Sequence, residues 1–388
     1  MKRIYLDNAA TTRVDPEVVK AMEKYELEEY GVASSEFGNS FGVKARNAIE
    51  DARAIIAKRI NAGPKEIIFT SGSTEGNNIA IQGVASAKGC SHLITSKVEH
   101  QSVLNVFKFF EKKRGCSVTY LDVDKEGFID LNQLKKSITD KTALVSIAHA
   151  NHEIGTIQNI AAIGKMCREK GLLFHTDASH SFLRNPIDVK AMNIDLLTIA
   201  ADLIHGPKGV GALYARDGIR IDPIIFGGYQ EKGLRPGTED IPGIVGFGKA
   251  VEIFDEKENK GMAGLRDRLI EGLLKVEETR LNGPRGGKRL CNNVNITFRY
   301  VEGESLLLHL DMRGIAVTTG SACFSQELMP SHVIMALGLT HGDAHGSMRL
   351  SLSKYNTQEE MDYTIKQIKK VVEKLREISP LTEIKGGK

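Results

Sequence analysis

The stretch "TSGSTEGNN", residues 70–78, follows the apolar run Ile67-Ile68-Phe69 and opens a helix-like segment. Gly72 lets the backbone turn tightly. Ser73 and Thr74 fall in a first helical turn, whose free N–H groups and positive dipole end suit a phosphate. Without a ligand, Ser73 or Thr74 would act as an ordinary N-cap. "HTDASHS", residues 175–181, puts Asp177 at the end of another apolar run. A carboxylate there can keep a pyridine-type nitrogen protonated or, more plainly, cap a turn. His100 in "SKVEHQSVLN" can stack on a flat ring or simply start a helix. Arg235 and Thr238 in the loop "GLRPGTE" can reach a phosphate, and Arg349 in "GSMRLSLSKYN" can grip a carboxylate through two parallel hydrogen bonds. Cys323 lies in the small, polar "TTGSACFSQ", ahead of a helix expected from Pro330 to Gly338, and a thiol so placed can react or ligate. The other cysteines, Cys90, Cys116, Cys167 and Cys291, are expected in helices or strands in structural roles, with no pairing framework.

These residues follow strand-like runs in a chain where strand and helix patterns alternate. "EIIFTSGSTEGNNIAIQGVA" reads strand, turn, helix, and "ALVSIAHANHEIGTIQNIAAIGKMCREKG" repeats that order. Such alternation predicts a mainly parallel sheet covered by helices on both faces, with ligand sites beyond the carboxyl ends of the strands. The texture changes at the charged stretch "DEKENKGM", residues 255–262. Beyond it "RDRLIEGLLKVEE" reads as helix, and "NNVNITFRY" and "GIAVTTGS" read as strands of a smaller α+β region. The terminal "EIKGGK" is expected to fray. The 388 residues suffice for one large and one small core. A net charge of +3 gives no reason to expect nucleic acid or a membrane as partner, and no apolar run is long enough to span a bilayer. The opening "MKRIYLDNAATT" contains no signal-peptide pattern, and the odd, scattered cysteines suit a reducing cytoplasm.

Taken in order, "YLDNAATT", "TSGSTEGNN", "VEHQSVLN", "NHEIG", "HTDASHS", "GPKGVGALY", "RPGT", "GSAC" and "EEMDYTI" resemble the cysteine desulfurases of the NifS/IscS type. These belong to the class-V aminotransferase group of fold-type-I pyridoxal-phosphate (PLP) proteins. The resemblance covers nearly the whole chain. It implies an α/β fold: a large domain, 13–257, with a mainly parallel seven-stranded sheet between helices, and a smaller α+β domain, 1–12 plus 258–388, bearing the cysteine loop. It implies a homodimer that takes sulfur from L-cysteine, leaves alanine, and passes a persulfide to an iron–sulfur scaffold protein or another sulfur acceptor. By that resemblance Cys323 carries the persulfide, Asp177 meets the pyridine nitrogen and His100 stacks on the ring. Ser73 and Thr74 hold the phosphate with the partner subunit's Thr238, and Arg349 holds the substrate carboxylate.

The departures cluster. The family reads Ser-Gly-His-Lys or Ser-Ala-His-Lys where this chain reads Ala200-Ala201-Asp202-Leu203 before "IHGPKG". The phosphate-binding serine is Ala200, the histidine is Asp202 and the Schiff-base lysine is Leu203. His152 stands for an asparagine, Tyr229 for a glycine, Pro236 for a serine and Val32 for an asparagine. Leucine has no amine to join a carbonyl and none to carry the substrate's α-proton. At about 4–6 Å, Asp202 would repel a phosphate by about 2–4 kcal/mol. Lys208 reads as a surface residue in the turn after Gly206-Pro207. Three readings stay open. In the first the protein lacks desulfurase activity, binds PLP weakly or not at all, and uses Cys323 to relay sulfur or to ligate a shared iron–sulfur cluster. In the second it is an active desulfurase with noncovalent PLP and a substitute base, His152, His180 or His205. In the third it is a non-catalytic structural or regulatory partner.

Overall fold

The computed structural model describes residues 3–319 and 330–379. Seven strands form one sheet: β2 Ile67–Thr70, β3 His92–Ser96, β4 Ser117–Leu121, β5 Thr142–Ser146, β6 Leu173–Asp177, β7 Leu196–Ala200 and β8 Gly211–Ala215. Their order is β2-β8-β7-β6-β5-β3-β4. The β3–β4, β3–β5, β5–β6 and β6–β7 pairings are parallel, and β8 alone runs antiparallel to its neighbours β2 and β7. Strands β3, β5 and β7 are buried along their whole length, as strands covered on both faces must be, while β4, at the edge, is half exposed. The helices of this part are α1 Pro16–Leu27, α2 Ser40–Arg59, α3 Ser73–Ala87, α4 Gln101–Arg114, α5 Leu131–Ser137, α6 Ile160–Glu169 and α7 Ile241–Glu252. The fold class expected of the sequence is thus present, with its seven strands.

A second core lies around β9 Thr279–Leu281, β10 Asn293–Phe298 and β12 Ser347–Ser351, an antiparallel sheet in the order β12-β10-β9. α8 Lys257–Leu273 and α12 Gln358–Glu377 pack with it, and α9 Gly303–Asp311, α10 His332–Ala336 and α11 His341–His345 complete this part. The amino-terminal β1 Ile4–Tyr5 pairs in parallel with β11 Ile315–Ala316, and Ile4 and Leu6 are buried in this second core. α12 begins with a capping box, in which Thr357 and Glu360 each accept from the other's backbone N–H.

Several local expectations change. The charged stretch 255–262, where the texture changes, already belongs in part to α8, which begins within it at Lys257. That helix stops at Leu273, short of "VEE". The helix expected from Pro330 begins at His332 with Ser331 as its N-cap, its Oγ accepting from the Ile334 N–H. The terminal stretch expected to fray lies outside the described residues. Of the four cysteines expected in helices or strands, only Cys167 lies in one, α6. Cys291 sits between elements, and Cys90 and Cys116 form a disulfide (Cα–Cα 5.8 Å) across the amino ends of β3 and β4. The expectation of cysteines without a framework is therefore corrected: proximity depended on β3 and β4 pairing in register, which no spacing in the sequence reveals.

Closing a loop with a sequence separation of 26 residues restricts the unfolded chain, an effect of about 3 kcal/mol. Reduction of native protein should expose two further thiols to a thiol reagent and lower the unfolding temperature by a few degrees. Equal unfolding temperatures with and without reductant in Cys90→Ser protein would tie that shift to this pair.

Candidate functional site

The carboxyl ends of β2, β7, β6, β5 and β3 lie along one edge of the sheet, and the chain leaving each of them supplies a residue to the site. At the end of β6, Asp177 is buried with both oxygens engaged. Oδ1 accepts from Ser179 N–H (3.0 Å) and Ser179 Oγ (2.6 Å), and Oδ2 accepts from Asn77 Nδ2 at 2.8 Å. Burial works to raise its pKa, but the hydrogen bonds from Ser179 and Asn77 and the His100 ring nearby outweigh it, so Asp177 stays below the ordinary carboxylate value. Asn77 uses its second amide hydrogen on Ser102 Oγ at 2.8 Å. Ser102 Oγ lies 2.8 Å from His100 Nδ1, which also accepts the Ser102 N–H at 3.1 Å. One hydrogen-bonded chain therefore ties Asp177 to His100, and it leaves the neutral imidazole's proton on Nε2. His100 is also the N-cap of α4, so the plain reading of this residue holds together with its place in the site.

Gly72, at φ 143°, is the N-cap of α3 and offers no side chain, so Ser73 and Thr74 are not the cap. They occupy the first turn, and Thr74 shares with His100, Asn78, Gln101 and Asn105 a cleft of about 550 Å³. The next carboxyl end, Ala200, pairs with Gly211, which in turn pairs with Thr70, so position 200 stands level with the turn that starts α3.

Leu203 is only 5% exposed. Its carbonyl accepts from Arg184 Nη2 at 2.5 Å, and Arg184 Nη1 donates to His180 O at 3.1 Å, fastening the turn after β7 to the turn after β6. Asp202 is half-buried, and burial raises its pKa above the usual value. Its carbonyl accepts from both the N–H and the Oγ1 of Thr12 (2.8 and 2.7 Å).

His152 and His180 come together with His100. The His152 ring stands edge-on to His100 at 5.1 Å between centroids and 6.0 Å from His180. Burial pushes the pKa values of all three down, so the rings are neutral at pH 7. His205 points elsewhere: Nδ1–H donates to Arg13 O at 2.8 Å and the ring packs on Tyr355. Arg349 reaches the group from β12. Nη1 donates to His152 O at 3.2 Å, Nη2 pairs with Asp7 Oδ1 at 3.0 Å, and Nε is buried without a partner among the described residues. Thr238 is not part of the cluster: it is exposed, and its carbonyl accepts from Arg235 Nη1 at 3.4 Å. Cys323 lies outside the described residues.

Two acids without an assigned role in the sequence belong here. Glu99 is buried, accepts from Ser96 Oγ (2.5 Å) and Ala148 N–H (3.0 Å), and has its pKa raised to about 8, first by burial and then by the Asp177 charge. Glu153 is buried, its pKa is also raised by burial, and Oε2 accepts from Ser331 Oγ at 2.7 Å. Both stand inside quoted motifs, "VEHQ" and "NHEIG", but only their burial marks them. Metal ligation by these side chains finds no support: among the described residues no three His, Cys, Asp or Glu stand close enough to hold an ion.

The sequence matches the aminotransferase class-V family over residues 4–364. This chain belongs to that family, in its NifS/IscS branch. The cysteine desulfurase IscS of Clostridium botulinum (strain Kyoto / Type A2) is 48% identical over 98% of this chain and 97% of its own. The cysteine desulfurase IscS of Methanosarcina thermophila is 50% identical over 98% of this chain and 95% of its own. A solved NifS-like protein superimposes with a TM-score of 0.89 at 37% identity, covering 96% of this chain and 99% of that one. Within a NifS/IscS fold, the first turn of α3 and Asp177 fit the phosphate and the pyridine nitrogen of PLP, because the α3 N–H groups have no side-chain cap and Asp177 is an anion. Position 203 does not fit its aldehyde, because a buried leucine holds no amine.

Glu99 gives the site a measurable pH dependence. Between the unfolded glutamate value near 4.5 and the folded value near 8, the native state holds one proton more than the unfolded chain. Stability from this residue is therefore fully present below pH 4.5 and is lost at about 1.4 kcal/mol per pH unit as pH rises toward 8. Glu99→Gln, which mimics the protonated form, should remove that slope. Denaturant unfolding at pH 6 and pH 8 should show the variant gaining on wild type as pH rises, and a constant difference would mean that Glu99 is ionised in the native state.

Proposed function

We propose that the protein serves sulfur transfer for iron–sulfur cluster assembly through Cys323, as a homodimer, and performs no PLP-dependent desulfuration of its own. The observation that carries this reading is Leu203, buried at the position that bears the Schiff-base lysine in the desulfurases this chain resembles. Two lysines act by charge on the segment 202–205, Lys208 on Asp202 and Lys354 on His205. Lys208 is exposed. Lys354 is pinned by Asp15 (2.8 Å) and Glu258 (3.4 Å). Burial opposes its charge, but these partners outweigh burial and keep its pKa above the ordinary lysine value, so it is an ammonium and not a nucleophile. His152 and His180, the candidate substitute bases beside His100, are weakened as bases by the same burial that keeps them neutral.

What this chain's residues retain is the framework around the cysteine segment. On its amino side Thr318 exchanges backbone hydrogen bonds with Arg349 (2.8 and 3.3 Å). On its carboxyl side Ser331 bonds Glu153, and His332 Nε2–H donates to Glu99 O at 2.9 Å. Both flanks are thus fastened to the site residues. Cys323 either carries sulfur from a separate donor to an acceptor protein or supplies a thiolate to a cluster shared with a scaffold protein. A second reading, PLP held noncovalently, is favoured by the anionic Asp177 and the uncapped first turn of α3.

The test is sulfide release from L-cysteine with PLP added. Wild-type protein should release none above background and show no borohydride-sensitive absorption near ~420 nm. Leu203→Lys should recover only part of the activity, since Ala200 and Asp202 stay. Desulfuration by wild-type protein at the rate of an active relative would overturn the proposal.

A further inference from the structure

The segment between β8 and α7 that carries the exposed Thr238 reaches back into its own chain at two points. Glu231 is buried, and its carboxylate takes Arg53 on both oxygens (Nη2–Oε1 2.6 Å, Nη1–Oε2 2.8 Å) and the Phe69 N–H at 2.7 Å. Arg53 comes from α2, donates also to Ile67 O at 2.7 Å, and lies 4.8 Å from the centre of the Phe69 ring. Ile67 and Phe69 belong to β2, the strand that runs into the α3 turn. Four residues after Glu231, Arg235 Nε stands 3.7 Å from Glu75 Oε2 in the first turn of α3, and the same carboxylate oxygen accepts the Ser71 N–H. To make both contacts the chain passes through the left-handed region at Glu231 (φ 47°), Lys232 (φ 61°) and Gly233 (φ 75°). Two successive non-glycine residues stay there only where surrounding contacts over-determine them.

The side chains that this segment turns outward are unusual for a surface. Phe226 is 85% and Tyr229 is 95% exposed. Thr238 is exposed, and its side chain has no hydrogen bond to Thr74, His100 or Asp177 among the described residues, so it is free to meet another molecule.

We propose that Glu231 and Arg235 are positioning residues that lock the segment 229–238 to the β2–α3 turn. They thereby present Thr238, together with Phe226 and Tyr229, as a preformed element to a second copy of this chain. This rests on the homodimer reading above. A segment already ordered in the free chain loses little conformational freedom on association. The lock also joins, in each chain, the turn that serves its own site to the residue that serves its neighbour's.

The experiment uses full-length protein and two variants, Glu231→Gln, which leaves Arg53 buried without its charge partner, and Arg235→Ala, which breaks the half-exposed second contact together with the Arg235 bond to the Thr238 carbonyl. Sedimentation velocity gives the dimer dissociation constant, and mass-mapped trypsin digestion gives the initial rate of cleavage after Lys232. Wild type should be a micromolar or tighter dimer that resists cleavage there. Glu231→Gln should weaken the dimer and speed that cleavage at least about tenfold, as loss of one partner of a buried pair implies, with cleavage elsewhere unchanged. Arg235→Ala should shift both in the same direction, and it decides the matter if the Gln variant fails to fold. Wild-type values for both quantities in a folded variant overturn the proposal. A wild type that stays monomeric overturns the dimer reading and the presentation of Thr238, while the cleavage rates still decide the lock itself: faster in the variants upholds it, unchanged sinks it.

Discussion

A carboxylate taken out of water must find hydrogen bonds or a counter-charge, and Asp177 finds its hydrogen bonds in two separate segments of this chain. Its own turn answers with Ser179, and α3 answers with Asn77. Asn77 can reach it only because α3 lies close on the sheet. A Cβ on Gly76 would stand 2.8 Å from Thr198 Cγ2 in β7, so any side chain at 76 would lift the helix away. Thr198 in turn bonds His175 Nε2 (3.0 Å), whose Nδ1 meets Ser146 Oγ (2.8 Å), so β5, β6 and β7 are cross-linked beneath the acid. From Asn77 the network continues through Ser102 to His100 and orients that ring. The charge also acts at a distance: it adds to the burial that keeps Glu99 protonated at neutral pH.

The sheet was readable because buried parallel strands leave continuous apolar runs and each is followed by a helix period. Its one antiparallel member, β8, was not, since the direction of a strand after the Gly206-Pro207 turn depends on where its neighbours lie. Motif residues at carboxyl ends of strands, Asp177, Ser73 and Thr74, were readable for the same topological reason. That His100, His152 and His180 fall in one site followed from the resemblance, but their ring-to-ring contacts did not. His100, His152 and His180 share no periodicity, and only the adjacency of β3, β5 and β6 in the sheet gathers their turns. Glu99, Asn77 and Glu153 lay in view within motifs, yet an acid or amide acquires a role only when burial and partners are known. Thr238 was grouped with the phosphate site from its loop and from the resemblance, and within a single chain its side chain is exposed and bonded to none of the residues it was grouped with.

Three changes, at 200, 202 and 203, stand in a site that offers little free positive charge. At neutral pH His100, His152 and His180 are uncharged, Glu99 keeps its proton, and Arg349 is already paired with Asp7. The full positive charge closest to Leu203, on Arg184, is turned onto two backbone carbonyls. A phosphate entering here would find the dipole end of α3 and Arg235, itself 3.7 Å from Glu75, with the Asp177 charge nearby. Helix ends of this kind contribute about 0.3–1 kcal/mol toward an exposed anion, less than the repulsion of about 2–4 kcal/mol that a carboxylate at Asp202 would add at close range. On the function proposed above, the loss of the lysine and the scarcity of free positive charge act in the same direction, and the chemistry left to the chain is that of Cys323, beside whose segment Thr318 is held by Arg349 and Ser331 by Glu153.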